Sequence, residues 1–540
     1  MDFLRRTFGL AIGPPVTSGQ PDRQSTIVME DPSLCPRTET VCELARILDE
    51  ERVVQVRGTP ASGKTTLAYL LDRYYHQQNV PSVIIPNWPQ DNCHGYANFL
   101  VRNANDVGYS FVTTRNLLNC DIVFILDEAQ MSYHDLGLWL GFIKTQNDRH
   151  FGPRVCIFSS YGSPTGGGDD YNPGSPLGYL GVQKRVSITV SMIQDSPSIS
   201  LFYNQGEFNE VIQRICSNVR RPLALHQEAS DYIYTLTSGH PGAVDAVLDM
   251  LQKVYRSKIK HGNISAVEKH HIIFTLNDEE ESFRYLAQTG FQRSFVDLRR
   301  LTCAAGNVLR EVLVNQHIPR DLDNEGIRLC YEKGWLHSEP LDFRADQIVC
   351  VFPTRLHAKF VEHYLTDSSV PFPLDKYQTV EALAEAVLRK FSMRNLSSAA
   401  QLGTGAVMRP VEAAYQDEFY RALHALLGFS SKISSEWSGS KDGRIDFRIA
   451  DVNWGIEVLR EGNRLTKHCQ RFINNGSYTQ WIQNGWLQDW LIIDCRTSAP
   501  VPYNVPGTKL WRAVFASDFS SIEILDSYNR SLVPRFPLTA

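Results

Sequence analysis

Residues 53–71 read VVQVRGTPASGKTTLAYLL, and no other stretch limits the fold as tightly. Val53, Val54 and Val56 are β-branched and apolar, the pattern of a buried parallel strand. Gly58 to Thr65 fit the spacing G-x-x-x-x-G-K-[ST], and Leu67, Leu70 and Leu71 continue as an apolar helix. Strand, glycine loop and helix in that order make a phosphate cradle. The glycines let the loop wrap until successive backbone N–H groups face one anion, and the helix N-terminus adds its positive end. The nucleotide-binding residues expected here are Gly58, Thr59, Pro60, Ala61, Ser62, Gly63, Lys64, Thr65 and Thr66. Lys64 reaches the β- and γ-phosphates of ATP, and the Thr65 hydroxyl is a ligand for Mg²⁺.

A second stretch, DIVFILDEAQ at 121–130, supplies the partner strand. Its apolar run Ile122 to Leu126 suits burial on both faces. Asp127 and Glu128 then leave the carboxyl end of the sheet, where phosphates lie. Asp127 is expected to hold Mg²⁺ through water and Glu128 to polarise the attacking water. RVCIFSSY at 154–161 reads as a further strand, with Ser159 or Ser160 placed to sense the γ-phosphate. Gly162 to Gly181 reads as a long Gly-, Pro- and Asp-rich loop, and Val186, Ile188 and Val190 as a closing strand.

Length and composition set the frame. A chain of 540 residues holds three or four domains, and 43% hydrophobic with 21% charged residues is ordinary for globular protein. The net charge of −5 excludes a global basic field, so any nucleic-acid surface is local. The 11 cysteines show no CxxC or metal-ligand spacing, which points to reduced thiols in the cytoplasm or nucleus. No stretch approaches the length of a membrane span. The fold class expected is α/β multidomain: a leader (1–25), a P-loop NTPase (26–196), a helical lid (197–275), a winged helix (276–370) and a restriction-endonuclease-like α/β domain (371–540).

In the lid, the turn SGHPG at 238–242 resembles the G-x-P turn that abuts adenine in signalling ATPases of the STAND class, which would put Pro241 at the nucleotide. A proline in the first helical turn explains the same residues structurally. Arg214, Arg220 and Arg221 lie in this region and are candidates for a phosphate contact, in cis or from a neighbouring subunit, while for each one singly a solvated side chain is the plainer expectation. The winged helix shows no strong basic face, so packing is its expected role.

The last third carries a second site. GRIDFRI at 443–449 and WGIEVLR at 454–460 read as adjacent strands. Asp446 and Glu457 then match the D…E-x-K scheme of restriction-type nucleases, in which two carboxylates hold Mg²⁺ and the metal activates water. Glu418 on the preceding helix is a candidate third carboxylate. The lysine of the scheme is Leu459, so Lys467 on the next helix is the candidate replacement, with His468, Gln470 and Arg471 nearby. A hairpin with two surface acids is the plain alternative.

VRGTPASGKTTLA, LDEAQ, TSGHPGAVDAVLDML, VFPTRLHAKFVEHYL and the run 443–472, taken as an ordered set, resemble fungal Crinkler-type proteins. The resemblance implies a STAND-like ATPase joined to a toxin-like nuclease that acts on DNA in the nucleus. It also implies roles for Asp446, Glu457 and Glu418. Secretion into a host, self-association, and a degenerate C-terminal domain that binds DNA or protein without cutting stay open.

Overall fold

The computed structural model describes residues 34–89, 95–160, 180–191, 193–217, 223–341, 347–366, 371–397, 411–439, 443–473, 475–503 and 506–539. The expected leader, most of the 162–181 loop, Arg220 and Arg221 lie outside them.

The first layer is a five-stranded parallel sheet ordered β2-β3-β4-β1-β5. Its strands are β1 Val53–Gly58, β2 Ser82–Ile85, β3 Val123–Leu126, β4 Arg154–Ser160 and β5 Arg185–Val186. Every residue of β1 and β3 is buried, as their unbroken apolar runs require. Val54, Val56, Ile125 and Phe158 pack on one face under the helices Thr38–Glu51 and Lys64–Gln77. Val53, Phe124, Leu126 and Ile157 pack on the other, against the helix Gly95–Asp106 and Trp139. Because β4 separates β1 from β3, its polar end lies between the phosphate loop and the acidic pair.

The lid comprises the helices Gln205–Cys216, Gln227–Thr237 and Pro241–Lys260. It is fastened to the first helix by Arg37, which is 3% exposed. Arg37 pairs with Glu207 at 3.0 Å and donates to the carbonyls of Ser200, Leu201 and Phe202. Thr40 donates to the same glutamate at 2.6 Å.

The next unit has the helices Cys303–Asn315, Glu325–Glu332 and Arg355–Leu365. It also has a small antiparallel sheet, β6 Ile318–Pro319, β8 Ile348–Val351 and β7 His337–Pro340, in that order. This is the unit expected from the sequence to be a winged helix. It shares one continuous apolar core with the lid.

The last domain is a seven-stranded mixed sheet, whose strands are β9 Ile433–Trp437, β10 Ile445–Ile449, β11 Trp454–Arg460, β12 Asp489–Arg496, β13 Leu510–Phe515, β14 Ser521–Leu525 and β15 Ser531–Pro537. A helix, Val411–Leu427, precedes the antiparallel β9–β10–β11. The helix Leu465–Phe472 then leads into β12, parallel to β11. The order is thus helix, three antiparallel strands, helix and parallel strand, extended by three more strands.

Arg37→Ala leaves the Glu207 carboxylate buried without its cation. It should cost about 3–5 kcal/mol and lower the urea midpoint with little change in slope. An unchanged midpoint would show that the lid is held by packing alone.

Candidate functional site

The phosphate loop has the geometry its sequence requires. Gly63 sits at φ 87, where a side chain would be strained, and Lys64 opens the helix behind it. The Lys64 ammonium donates to the carbonyls of Gly58 and Thr59, both at 2.9 Å. Burial pushes Lys64 down to about 8, against the pull of Glu128 and Asp127. Thr65 donates from its hydroxyl to Asp127 Oδ2 at 2.7 Å. Asp127 is 6% exposed and its other oxygen, Oδ1, accepts no hydrogen bond. An orphaned carboxylate oxygen beside a threonine hydroxyl is a donor set that fits Mg²⁺. With the ion and ATP bound, Thr65 and Asp127 would hold the metal and Lys64 would turn from the loop carbonyls to the phosphates.

Glu128 follows in a left-handed conformation, φ 47, and accepts from Gln130 Nε2. Gln130 Oε1 accepts in turn from the backbone N–H of Ser160 at 3.1 Å. Gln130 thus ties the expected water-polarising acid to the end of β4. The sequence motif ended at the acids, so this role was not legible in it. Ser159 is fully buried and accepts from Gln55 at 3.0 Å, which leaves Ser160 as the β4 residue at the rim.

Pro241 meets the phosphate loop itself. A Cβ on Gly63 would lie 3.2 Å from its ring, and Gly242 donates to the carbonyl of Ala61 at 3.1 Å. On the opposite side, Gly334 of the winged helix lies so close that a Cβ there would be 2.8 Å from Pro60. Arg57 donates to the Tyr331 hydroxyl at 2.7 Å. Among the arginines, Arg214 is taken by Glu210 at 2.7 Å on its own helix. Arg293, which the sequence did not single out, is near enough to act on the charge of Lys64.

In the last domain, Phe447 pairs with Ile456, so Asp446 and Glu457 are the next residues outward on two neighbouring strands. Asp446 Oδ2 accepts from the Val458 N–H at 2.8 Å. Burial first, and then the Glu457 charge, raise Asp446 to about 7. Glu457 is 1% exposed, and both its oxygens are occupied. His468 Nδ1 lies 2.5 Å from Oε2, while Arg471 at 3.2 Å and the Tyr478 hydroxyl at 2.7 Å donate to Oε1. Gly443 makes room for this arrangement, since a Cβ there would fall 2.1 Å from the Tyr478 ring.

Two expected residues lie elsewhere. Glu418 is buried and accepts from the Ser392 backbone N–H, the Asn395 side-chain amide and the Arg421 guanidinium, so it closes a local turn instead of joining the acidic pair. Lys467 is exposed, while His468 and Arg471, one helical turn apart, face Glu457. Leu459, at the lysine position, is 1% exposed in an apolar cluster with Cys469 and Phe472. An imidazole, a guanidinium and a hydroxyl therefore fill the place a metal would take on Glu457, and this arrangement does not fit Mg²⁺. Among the described residues, no group of three or more His, Cys, Asp or Glu is arranged to hold a metal.

No protein-family model matches the chain, and no curated protein does. Solved structures of similar shape include a Walker-type ATPase, PABY2304 of Pyrococcus abyssi, at 13% identity and TM-score 0.34, covering 61% of this chain and 96% of that one. A point variant of Thermotoga maritima RuvB matches at 14% and 0.29, over 58% and 91%. The Aeropyrum pernix ORC1 protein in complex with DNA matches at 14% and 0.30, over 64% and 96%. The P-loop ATPase fold rests on the strand order and loop geometry above, not on these low scores.

The raised Asp446 gives a stability test in EDTA. A carboxyl raised in the folded state favours folding at low pH, and that contribution is lost as pH climbs from its unfolded value through about 7. Asp446→Asn should flatten the fall in stability between pH 4 and 8 and should be more stable than the parent at pH 8. Parallel pH curves for the two proteins would contradict the burial of this group.

Proposed function

We propose that this protein is an ATP-dependent switch whose first half controls a DNA-acting C-terminal domain. The observation that carries the first part is the Thr65–Asp127 pair with its orphaned oxygen, behind a folded phosphate loop. ATP binding draws Lys64 out of the loop, and Glu128, held by Gln130, orients the water for hydrolysis.

A chain of contacts supports the coupling. The lid helix that touches the loop is capped by His240, whose ring lies 5.6 Å from that of His357, both buried. Two residues earlier, Arg355 pairs with Glu436 on β9, and Glu436 pairs with Arg444 beside Asp446. Burial alone would raise Glu436. Arg355 and Arg444, aided by Lys359 and Lys269, reverse that and hold it at about 2. A carboxylate held this firmly between two domains can transmit a shift of the lid to the acidic pair.

On this reading the C-terminal domain engages DNA without a metal on Glu457, whose oxygens His468, Arg471 and Tyr478 already occupy. The restriction-endonuclease core layout and the adjacent Asp446 and Glu457 favour a second reading, a Mg²⁺-dependent endonuclease. A Crinkler-like effector role in the nucleus belongs to the same proposal.

Purified protein should hydrolyse ATP, and Lys64→Ala should reduce turnover at least 100-fold. Supercoiled plasmid incubated with ATP, and with Mg²⁺ or EDTA, should shift in mobility without nicking. Nicking that needs Mg²⁺ and vanishes in Asp446→Asn would establish the second reading. Unchanged ATP turnover in Lys64→Ala would end the switch.

A further inference from the structure

From Arg460 to Arg471 the chain carries Arg460, Arg464, Lys467, His468 and Arg471 against a single acid, Glu461. The structure sorts them. His468 and Arg471 turn inward to Glu457. Glu461 turns away and accepts from the Thr497 N–H at 2.7 Å, with Arg496 at 3.6 Å. Arg460, Arg464 and Lys467 remain exposed and make no ion pair among the described residues. Arg464 and Lys467 form a cationic ridge at the start of the helix Leu465–Phe472, on the segment that carries the partners of Glu457, while Arg460 alternates to the other face of β11, beside Tyr415.

Beyond Glu457 the surface changes character. Tyr478, which donates to Glu457, is flanked by Ser477 and Thr479. Those two, with Asn475, Gly476, Gln480 and Gln483, line an open concavity of about 580 Å³ that contains no charged side chain. Three residues past Gln483 stands Trp486, 41% exposed, against the half-buried Trp437 at a centroid distance of 6.5 Å. An exposed indole braced from behind is a stacking platform. Amides and hydroxyls around a shallow hollow meet base edges, and unpaired arginine and lysine side chains meet phosphates.

We propose that this face is a track for a nucleic-acid strand with unpaired bases. Its phosphates lie on Arg464 and Lys467, its bases pass the amide-lined hollow, and one base stacks on Trp486. A fully paired duplex would bury its base faces and leave the indole and the amide-lined hollow unused, which favours the single strand. The proposal rests on the reading that the last domain acts on nucleic acid, and it adds the strand type and the residues.

The test is fluorescence anisotropy of the full-length protein with a labelled 20-nucleotide single strand and the matching 20-base-pair duplex, over a range of KCl. The parent should bind the single strand more tightly. The double variant R464Q/K467Q should lose on the order of 20-fold in affinity at 0.1 M salt. Its slope of log affinity against log salt should fall by about 1.4, since each phosphate contact on a single strand contributes about 0.7. Trp486→Ala should weaken single-strand binding about five-fold or more with the slope unchanged. All three positions are exposed, and an unchanged urea midpoint would show each variant folded. Binding by the parent that the double variant matches in affinity and slope overturns the track alone. A preference for duplex, with Trp486→Ala silent, also overturns it. Failure of the parent to bind either probe overturns both the track and the reading beneath it.

Discussion

The phosphate loop is gripped from two sides, and the rest of the molecule is arranged around that grip. Pro241 and Gly242 of the lid close on Gly63 and Ala61, while Gly334 of the winged helix closes on Pro60. Interiors packed at this density do not deform gradually, so a loop that changes shape around a triphosphate must displace whole elements. Lys64 adds to the tension. It is buried and bonded to two loop carbonyls, so taking hold of phosphate means breaking those bonds and moving the loop. The winged helix therefore serves as a wall of the nucleotide site.

The same logic carries to the far end. The first turn of the helix Arg355–Leu365 places His357 against His240 on one side and Arg355 against Glu436 on the other. Further bonds stitch the two regions together. Lys359 donates to Ser435 at 3.3 Å, Asn277 donates to the Ser438 carbonyl at 2.6 Å, and Lys432 pairs with Glu279 at 3.0 Å. A buried ion pair adds little net stability, yet losing one partner is costly. That asymmetry suits a latch with two states better than it suits a brace.

Much of this was legible in the sequence where a motif brings its own geometry. The phosphate loop and the Asp127–Glu128 strand have fixed spacing because backbone N–H groups and a buried strand end impose it. The β10–β11 hairpin was readable from two apolar runs with an acid in each. What escaped were contacts made across long sequence distances. Gln130 meets Ser160 only because β4 lies between β1 and β3. Arg293 comes near Lys64 only through the packing of lid and winged helix. Glu418 and Lys467 misled for a related reason. Helical periodicity places several residues close to a site, but which one points inward depends on how the helix is rotated against the sheet. His468 and Arg471 won that choice, and Glu418 satisfied a neighbouring turn.

On the proposed switch, the nucleotide half and the C-terminal half share one equilibrium through Glu436. Linked sites must affect each other equally. The direct measurement is the affinity of a non-hydrolysable ATP analogue by calorimetry, with and without a saturating DNA oligonucleotide, in the parent and in Glu436→Gln. A DNA-dependent change of several-fold in the parent that disappears in Glu436→Gln is the predicted result. The same affinity with and without DNA in the parent, or a change that survives in Glu436→Gln, would contradict it.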